Sequence, residues 1–283
     1  MTVITSRDKP PGLPVFPPHD DPAGDCLLAR LLAEEPDRAA IPWPAGFEGG
    51  LAHRLDTATS GAVAVAADLD GLGALRDRFA AGALTKWYRL RVARDPGWDA
   101  NRCDRPIAHD PRRRRRMVVQ RGADTPHRGR WLPARTVFRR VSGTLFDAVI
   151  TTGVMHQIRV HAAFLGIPLA GDREYGGGPT PDDAPPGAAF LLHHRGFVGA
   201  GLVTAPVPTP AWAGGPASAW VLDRDRVRID GAAFSVPDAI RWLRDQPDAA
   251  WLGLDDAIRV ATDPPAALVE ALRAYPSSML TGA

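Results

Sequence analysis

The 283 residues are 45% apolar and 23% charged, with a formal net charge of +2, which suffices for a sizeable core in one domain or two. No run approaches the roughly 18 apolar residues of a membrane span, and the opening MTVITSRDKPPG has no apolar segment behind a basic end. Two cysteines, Cys26 and Cys103, make neither a disulfide framework nor a zinc pattern. These features lead to the expectation of a cytoplasmic protein that engages no membrane and, lacking a heptad repeat, is a monomer. The charge is unevenly spread: residues 101–160 carry 14 Arg against 4 Asp, while residues 1–50 carry 4 basic and 8 acidic side chains. A basic middle of this kind suits a polyanionic partner. Lys9 and Lys86 are the only lysines.

In chain order, Val3–Ile4 opens a short strand, and Lys9-Pro10-Pro11-Gly12 then turns the chain. Cys26–Leu32 (CLLARLL) reads as a short helix, and 36–50 as a Pro/Gly-rich loop. Leu51–Ala67 (LAHRLDTATSGAVAVAA) crowds His53, Arg54, Asp56, Thr57, Thr59 and Ser60 ahead of a strand of Ala and Val. Leu72, Leu75 and Phe79 recur at helical spacing in Leu69–Ala81, which Gly82 stops. Leu84–Val92 alternates, with Lys86, Tyr88, Leu90 and Val92 on one face and Trp87, Arg89 and Arg91 on the other. Asp104–His109 leads into five consecutive arginines, Arg112, Arg113, Arg114, Arg115 and Arg116. Two strands, 134–140 and 144–150, flank the Ser142-Gly143 turn. Val154–Leu165 (VMHQIRVHAAFL) predicts a helix closed by Gly166, with His156 and Arg159 as i,i+3 neighbours and Gln157 and His161 as i,i+4 neighbours. Residues 179–189 predict a surface loop, 190–194 return apolar character, Trp220–Ile229 predicts one strand, and 237–244 and 265–275 predict helices. Many short strands with a few helices, and no βαβ regularity, predict an α+β fold.

Several residues are placed to do chemistry. Asp56, ahead of an apolar strand and near Arg54, is a nucleophile, a general base, an ion-pair partner or simply a cap for local backbone N–H groups. His53 is a base or a hydrogen-bonding scaffold. Arg159 lies between Ile158 and Val160 and needs a carboxylate, because an unpaired buried charge is costly. Asp56 and Asp172 are the candidates, and such a pair is structural, or serves to keep a carboxylate ionised and oriented beside a ligand. Tyr88 is a core aromatic or a surface on which a base stacks. The run Arg112–Arg116, with Arg121, Arg128 and Arg130, is a solvated loop or a set of phosphate contacts. There is no GxxxxGK[ST] and no GxGxxG, and His109, His127, His193 and His194 lack metal-ligand spacing. No cofactor and no metal are therefore expected, and His193-His194 reads as one core and one surface group.

Taken together, these segments resemble the RluA-type family of RNA pseudouridine synthases. His53-Arg54-Leu55-Asp56 with Thr59-Ser60-Gly61 resembles its HRLD…TSG signature, Lys9–Gly12 its KPxG, Lys86-Trp87-Tyr88 its KxY, and Asp104-Arg105-Pro106-Ile107 a stretch containing PI. His156-Gln157-Ile158-Arg159-Val160-His161, Leu165–Pro168 and Gly171-Asp172…Tyr175-Gly176 resemble its HQIRVH…LGxPxxGDxxYG block, and Leu192-His193 its LH. The resemblance covers about residues 3–200 and implies the family's catalytic fold: a mixed, mostly antiparallel sheet with flanking helices and a central cleft. It divides the chain into a catalytic domain, 1–210, and an extension, 211–283, which alternatively completes the same domain, with Ala205–Pro208 or the segment from Thr262 as its closing strand. It implies isomerisation of uridine to pseudouridine in structured RNA, ribosomal or transfer RNA. By this resemblance Asp56 is the catalytic aspartate, Tyr88 the aromatic against the flipped uracil and a candidate acceptor of the C5 proton, and Arg159 the partner of Asp56. Arg54 fills the gap left by the flipped nucleotide and His53 supports it. With RNA as the substrate, Arg112, Arg113, Arg114, Arg115 and Arg116 are expected to contact its phosphates.

Two departures stand out. Val154-Met155 replaces the Arg-Thr that usually precedes HQIRVH, and only about 50 residues precede the HRLD motif, with no small RNA-binding domain among them. The first departure favours an alternative reading, a non-catalytic RNA-binding protein on the same scaffold. A carboxylate hydrolase built on Asp56 lacks a second well-placed acid.

Overall fold

A computed structural model describes residues 2–98, 100–199, 202–204 and 207–213, and beyond them four strands between residues 220 and 261. The chain opens with β1 (Thr2–Ile4) and β2 (Ser6–Lys9). Helix α1 (Leu27–Glu34) starts where the Cys26 sulfur accepts a hydrogen bond from the Ala29 N–H, 3.3 Å away, and it buries Leu27 and Leu31. Two 3₁₀ turns, Pro36–Ala40 and Glu48–Gly50, occupy the Pro/Gly-rich stretch. Strand β3 (Ser60–Ala64) is buried throughout. Helix α2 (Leu69–Ala80) begins at Asp68, whose carboxylate accepts from the Gly71 N–H at 2.7 Å, an N-cap that satisfies one of the helix's orphan donors.

The middle of the chain is strand-rich. It contains β4 (Leu84–Arg91), β5 (Ala100–Cys103), β6 (Ile107–His109), β7 (Met117–Val119), β8 (Arg128–Leu132), β9 (Thr136–Ser142) and β10 (Leu145–Ile150). Helix α3 (Gln157–Phe164) is followed by β11 (Leu192–Gly199) and β12 (Leu202–Thr204). The last strands are β13 (Trp220–Asp223), β14 (Arg226–Ile229), β15 (Ala232–Phe234) and β16 (Ile258–Ala261).

Nine strands form one sheet in the order β1-β12-β11-β4-β10-β9-β5, with β3 along β11 and β2 along β3. Its pairings are antiparallel except β1–β12 and β3–β11. The fold is therefore the expected mixed, mostly antiparallel sheet with flanking helices. The largest apolar cluster joins α1, β3, β4, β10 and α3 through Leu27, Leu31, Val63, Leu90, Phe146 and Ile158. Burying each such side chain contributes about 1.5–3 kcal/mol. Gly61 makes the β3–β11 pairing possible. Its φ is +117°, and a Cβ there would lie 2.0 Å from the His194 carbonyl oxygen, so any side chain would force the two strands apart. Two further sheets have the orders β7-β6-β8 and β15-β14-β13-β16.

The structure departs from the sequence expectations at three places. Helix α3 starts at Gln157, three residues later than Val154, because the 151–156 segment folds around the Gln157 side chain. Its Oε1 accepts from the Thr152 hydroxyl at 2.8 Å and the Val154 N–H at 3.2 Å. His156 is consequently outside the helix in a left-handed conformation, φ +56°, and is not a helical neighbour of Arg159. Trp220–Ile229 is a hairpin of two strands, not one strand. His193 and His194 are both buried: Ser60 Oγ lies 3.0 Å from His193 Nδ1, and the Ala62 carbonyl 2.6 Å from His194 Nδ1. Leu202–Thr204, immediately before Ala205–Pro208, pairs with β11 and β1. The expected helices at 237–244 and 265–275, Ala205-Pro206 and the segment from Thr262 lie outside the described residues.

Candidate active site

The loop that carries Asp56 is held from beneath. The Lys9 amine is fully buried and donates to the carbonyls of Leu13 (2.7 Å), Pro10 (3.0 Å) and Thr57 (3.0 Å). The Gly12 N–H also donates to Thr57 O, at 2.8 Å. Burial pushes the Lys9 pKa down to about 8, against the opposing charges of Asp56 and Asp8. The turn after Asp56 is closed by its backbone carbonyl, which accepts from the Thr59 N–H at 2.9 Å. Its carboxylate is thus not consumed as a local cap. It stays 30% exposed and faces Arg159 Nη1 at 3.5 Å.

Arg159 projects from α3 into a nest of acids. Nε and Nη2 form a two-pronged contact with Asp172, at 2.7 and 2.9 Å, and Nη2 also reaches Glu174 at 3.1 Å. Its guanidinium lies over the rings of Phe190 (4.4 Å) and Tyr175 (4.9 Å). Burial alone would lower its pKa, but the hydrogen bonds to Asp172 and the charges of Asp172 and Asp56 hold it above its ordinary value. Both partners considered from the sequence are therefore present, with Asp172 the tight one and Asp56 the looser, outward-facing one.

Tyr88, on β4, packs its ring on His194 with centroids 4.5 Å apart. Burial, and then the nearby Asp56 charge, hold its phenol well above the usual tyrosine range. It is a protonated phenol at neutral pH. His156 Nδ1 lies 2.9 Å from the Tyr175 hydroxyl, and its Nε2 is 3.9 Å from the Asp56 carboxylate. Burial holds this imidazole below its ordinary pKa against the pull of Asp56.

The other sequence candidates fall around this centre. His53 accepts the Ala64 N–H at Nε2 (3.0 Å), and its ring sits among Phe197, His194 and Phe79. Burial keeps it neutral. Both environments tie it to the protein interior. Arg54 is exposed, two residues before Asp56.

The five-arginine run divides in two. Arg112, Arg113, Arg114 and Arg115 are exposed at the tip of the β6–β7 hairpin, where the Asp110 carboxylate accepts from the N–H groups of Arg112 and Arg113. The Arg114 carbonyl accepts from Arg128 Nη2 at 3.4 Å, which ties the tip to β8 and leaves the Arg114 guanidinium facing solvent. No contact among the described residues joins the Arg114 side chain to Asp56, Tyr88 or Arg159, so its assignment to RNA rests on exposure and charge. Arg116 departs from the expected row of outward cations. It is half-buried, 3.7 Å from the Asp110 carboxylate and 5.4 Å from the Tyr175 ring, where the loop runs into β7. The hairpin is fastened to the centre through Tyr175, whose hydroxyl accepts from the Met117 N–H at 2.9 Å. Val154 packs against the Ile107, Met117 and Tyr175 cluster under this hairpin, and Met155 is exposed.

Sequence reasoning missed Glu174, the inward turn of His156, the bridging by Tyr175 and the anchoring by Lys9. Each depends on a partner that its own motif does not announce. The GDxxYG spacing was the one local hint, since it puts Asp172 and Tyr175 on the same short turn.

The family model described as RNA pseudouridylate synthase matches residues 6–164, a span that includes Asp56, Tyr88 and Arg159. An RNA pseudouridine synthase of Chloroflexus aurantiacus, itself uncharacterized, is 37% identical over 174 residues, 60% of this chain and 51% of that protein. The ribosomal large subunit pseudouridine synthase D of Xanthomonas campestris is 38% identical over 173 residues, 60% of this chain and 48% of that one. Among solved structures, human RNA pseudouridylate synthase domain containing 4 aligns with a TM-score of 0.48 and 24% identity, covering 67% of this chain and 78% of that one. The chain spans about half the length of the curated relatives it matches.

Proposed function

The chain belongs to the RNA pseudouridine synthase family, of the RluA type, and from that membership we propose that it isomerises uridine to pseudouridine in structured RNA with Asp56 as the reacting carboxylate. The observation that carries the reading is a partly exposed Asp56 set 3.5 Å from an arginine whose other nitrogens are already committed to Asp172. Such an arginine orients Asp56 without covering it.

The reaction breaks the N1–C1′ bond, turns the uracil and joins C5 to C1′. A proton leaves C5 and one is gained at N1, so no redox change occurs. One carboxylate serves either route to the detached base, by attack on C1′ or by removal of the 2′ proton. The uridine must first leave its stack, at a cost of a few kcal/mol. Tyr88 then offers a ring against the extruded base. As a phenol held protonated by burial and by Asp56, it suits packing and hydrogen-bond donation better than the uptake of the C5 proton. Arg54, exposed on the Asp56 loop, reaches into the vacated stack, and the exposed Arg112, Arg113, Arg114 and Arg115 grip phosphates. The names of several relatives, ribosomal large subunit pseudouridine synthases, make large-subunit ribosomal RNA the first substrate to try.

The test is to treat ribosomal RNA from a deletion strain with wild type and with Asp56→Asn, then map pseudouridines. Wild type should restore at least one missing site and Asp56→Asn none. Val154-Met155 favours the alternative of an RNA-binding protein without activity, and a wild type that binds this RNA but restores no site would establish that alternative.

A further inference from the structure

The two lysines are treated in opposite ways. Lys9 gives its three donors to three carbonyls. Lys86 lies on β4 two residues before Tyr88 and on the same face, a step of about 7 Å. It is only partly exposed, yet among the described residues its amine makes no hydrogen bond and no ion pair.

The groups that face this amine come from four elements. Phe79 of α2 lies under it, 5.0 Å from amine to ring centroid. Gly153, in the segment before α3, lies beside it: a Cβ there would sit 2.7 Å from Nζ, so the amine occupies the space a side chain would fill. His53, ahead of β3, and His194 of β11 complete the surround; both feel the Lys86 charge, and both are kept neutral by burial. None of these groups is an acid. Residues 151–155, Thr-Thr-Gly-Val-Met, carry no charge either. A half-buried ammonium without a counter-charge is costly to hold, and here burial alone lowers its pKa to about 8. It is still mainly a cation at pH 7, and it shares a face of β4 with Tyr88, whose phenol feels the Asp56 charge.

We propose that Lys86, with the bare backbone at Gly153, forms a phosphate subsite that seats a backbone phosphate of the RNA strand whose uridine enters beside Tyr88. The ligand class is a phosphodiester, a compact anion suited to a strongly hydrated point charge. The subsite supplies a cation to segment 151–155, which borders the centre and has none of its own. The proposal rests on RNA being the substrate, and it concerns binding, not bond chemistry.

The experiment follows binding of a labelled RNA stem-loop with a uridine-rich loop to wild type, K86M and K86R across salt concentration and pH, with pseudouridine measured in the same samples. K86M should bind on the order of tenfold more weakly and reduce the slope of log K against log salt by about one, while K86R keeps the slope. Wild-type affinity should fall as pH rises past about 8, where the free amine loses its proton, and K86R, charged throughout, should not show that fall; Lys9 is common to both proteins and cancels. This second comparison stands even if K86M fails to fold. An unchanged slope in K86M, or parallel pH curves for wild type and K86R, overturns the subsite. Those results from a wild type that still makes pseudouridine would leave the enzymatic reading intact. A wild type that binds with the expected Lys86 dependence but makes no pseudouridine would remove the enzymatic reading and keep the subsite.

Discussion

Two arginines, Arg89 and Arg159, are buried in this protein with the same fork-to-fork geometry and opposite third contacts. Arg89 donates from Nε and Nη2 to the two oxygens of Asp147, at 2.7 and 3.0 Å, and its Nη1 is closed off by the Ala213 carbonyl at 2.9 Å. The arginine is 1% exposed and its aspartate 0%. Arg159 makes the same fork with Asp172, but its Nη1 points at the partly exposed Asp56. In the first pair every nitrogen ends on a buried acceptor, so the pair can only hold the sheet together. In the second, one nitrogen is left for a carboxylate that solvent and a ligand can reach. Burial of an ion pair therefore says nothing about function by itself; the partner of the spare nitrogen does.

The largest expected effects come from removing one member of each fork. Arg89→Met and Arg159→Met should each cost about 3–5 kcal/mol in chemical denaturation, because an aspartate is left buried and unpaired. Replacing both members by apolar residues should bring the two pairs apart. R89M/D147L should recover most of its stability and still make pseudouridine. R159M/D172L should also regain stability, but it should make none, since Asp56 has lost the cation beside it. Near-normal pseudouridine formation by R159M/D172L would break the distinction between the two forks.

This contrast explains how much can be read from the sequence. Asp56, Tyr88 and Arg159 stand in motif blocks whose order along the chain is itself informative, so their proximity is an expectation, and Arg159 does meet Asp56 while Tyr88 feels the Asp56 charge. Strand β4 and helix α2 are legible because alternation, helical apolar spacing and the Gly82 stop are local signals. Partners are not local. Arg89 meets Asp147 58 residues on, and His193 meets Ser60 133 residues back, so nothing near them in sequence announces a sealed pair or two buried imidazoles. The same holds within the arginine run, where nothing local separates Arg114, at the exposed tip, from Arg116, drawn in by Asp110 and Tyr175. The start of α3 escapes for a related reason. Apolar spacing continues back to Val154, but the Gln157 side chain accepts from the Val154 N–H and the Thr152 hydroxyl, and the chain turns there instead of extending the helix.

A smaller effect tests the sealed side of the comparison by pH. Burial pushes His161 and His193 down to about 4 and His194 to about 3, and the Arg89 charge adds to the shift at His193. The unfolded chain takes up these protons near pH 6.5 while the folded protein does not until about pH 4. Stability is therefore fully present above pH 6.5 and declines as pH falls from there toward 4. Each histidine should cost on the order of 1–2 kcal/mol between pH 7 and pH 5, read from urea midpoints at the two values. Equal midpoints would mean that the imidazoles become charged without opening the structure.

Asp56→Asn should move stability by less than about 1 kcal/mol, since its carboxylate is partly solvated and the Arg159 contact is long, while pseudouridine formation falls by at least ~10³-fold. A loss of several kcal/mol would instead make Asp56 a member of the sealed class.

The smallest stability effect belongs to His156, whose φ of +56° makes it the one non-glycine in the left-handed region among the described residues. That conformation costs a non-glycine residue about 1 kcal/mol or somewhat more, and here it turns the imidazole between the Tyr175 hydroxyl and Asp56. His156→Gly relieves the strain and loses the hydrogen bond to Tyr175, itself worth about 1 kcal/mol, so the two nearly cancel and the melting temperature should hardly move. The rate should not be spared. Without the imidazole, Asp56 keeps only the long contact to Arg159 on that side, and a loosened carboxylate loses about 10- to 100-fold in positioning. His156→Asn tolerates the backbone and keeps a short polar side chain, so its rate should fall between glycine and wild type. Wild-type rates in both variants would show that the strained residue shapes the loop alone and that the open fork needs nothing beyond Arg159.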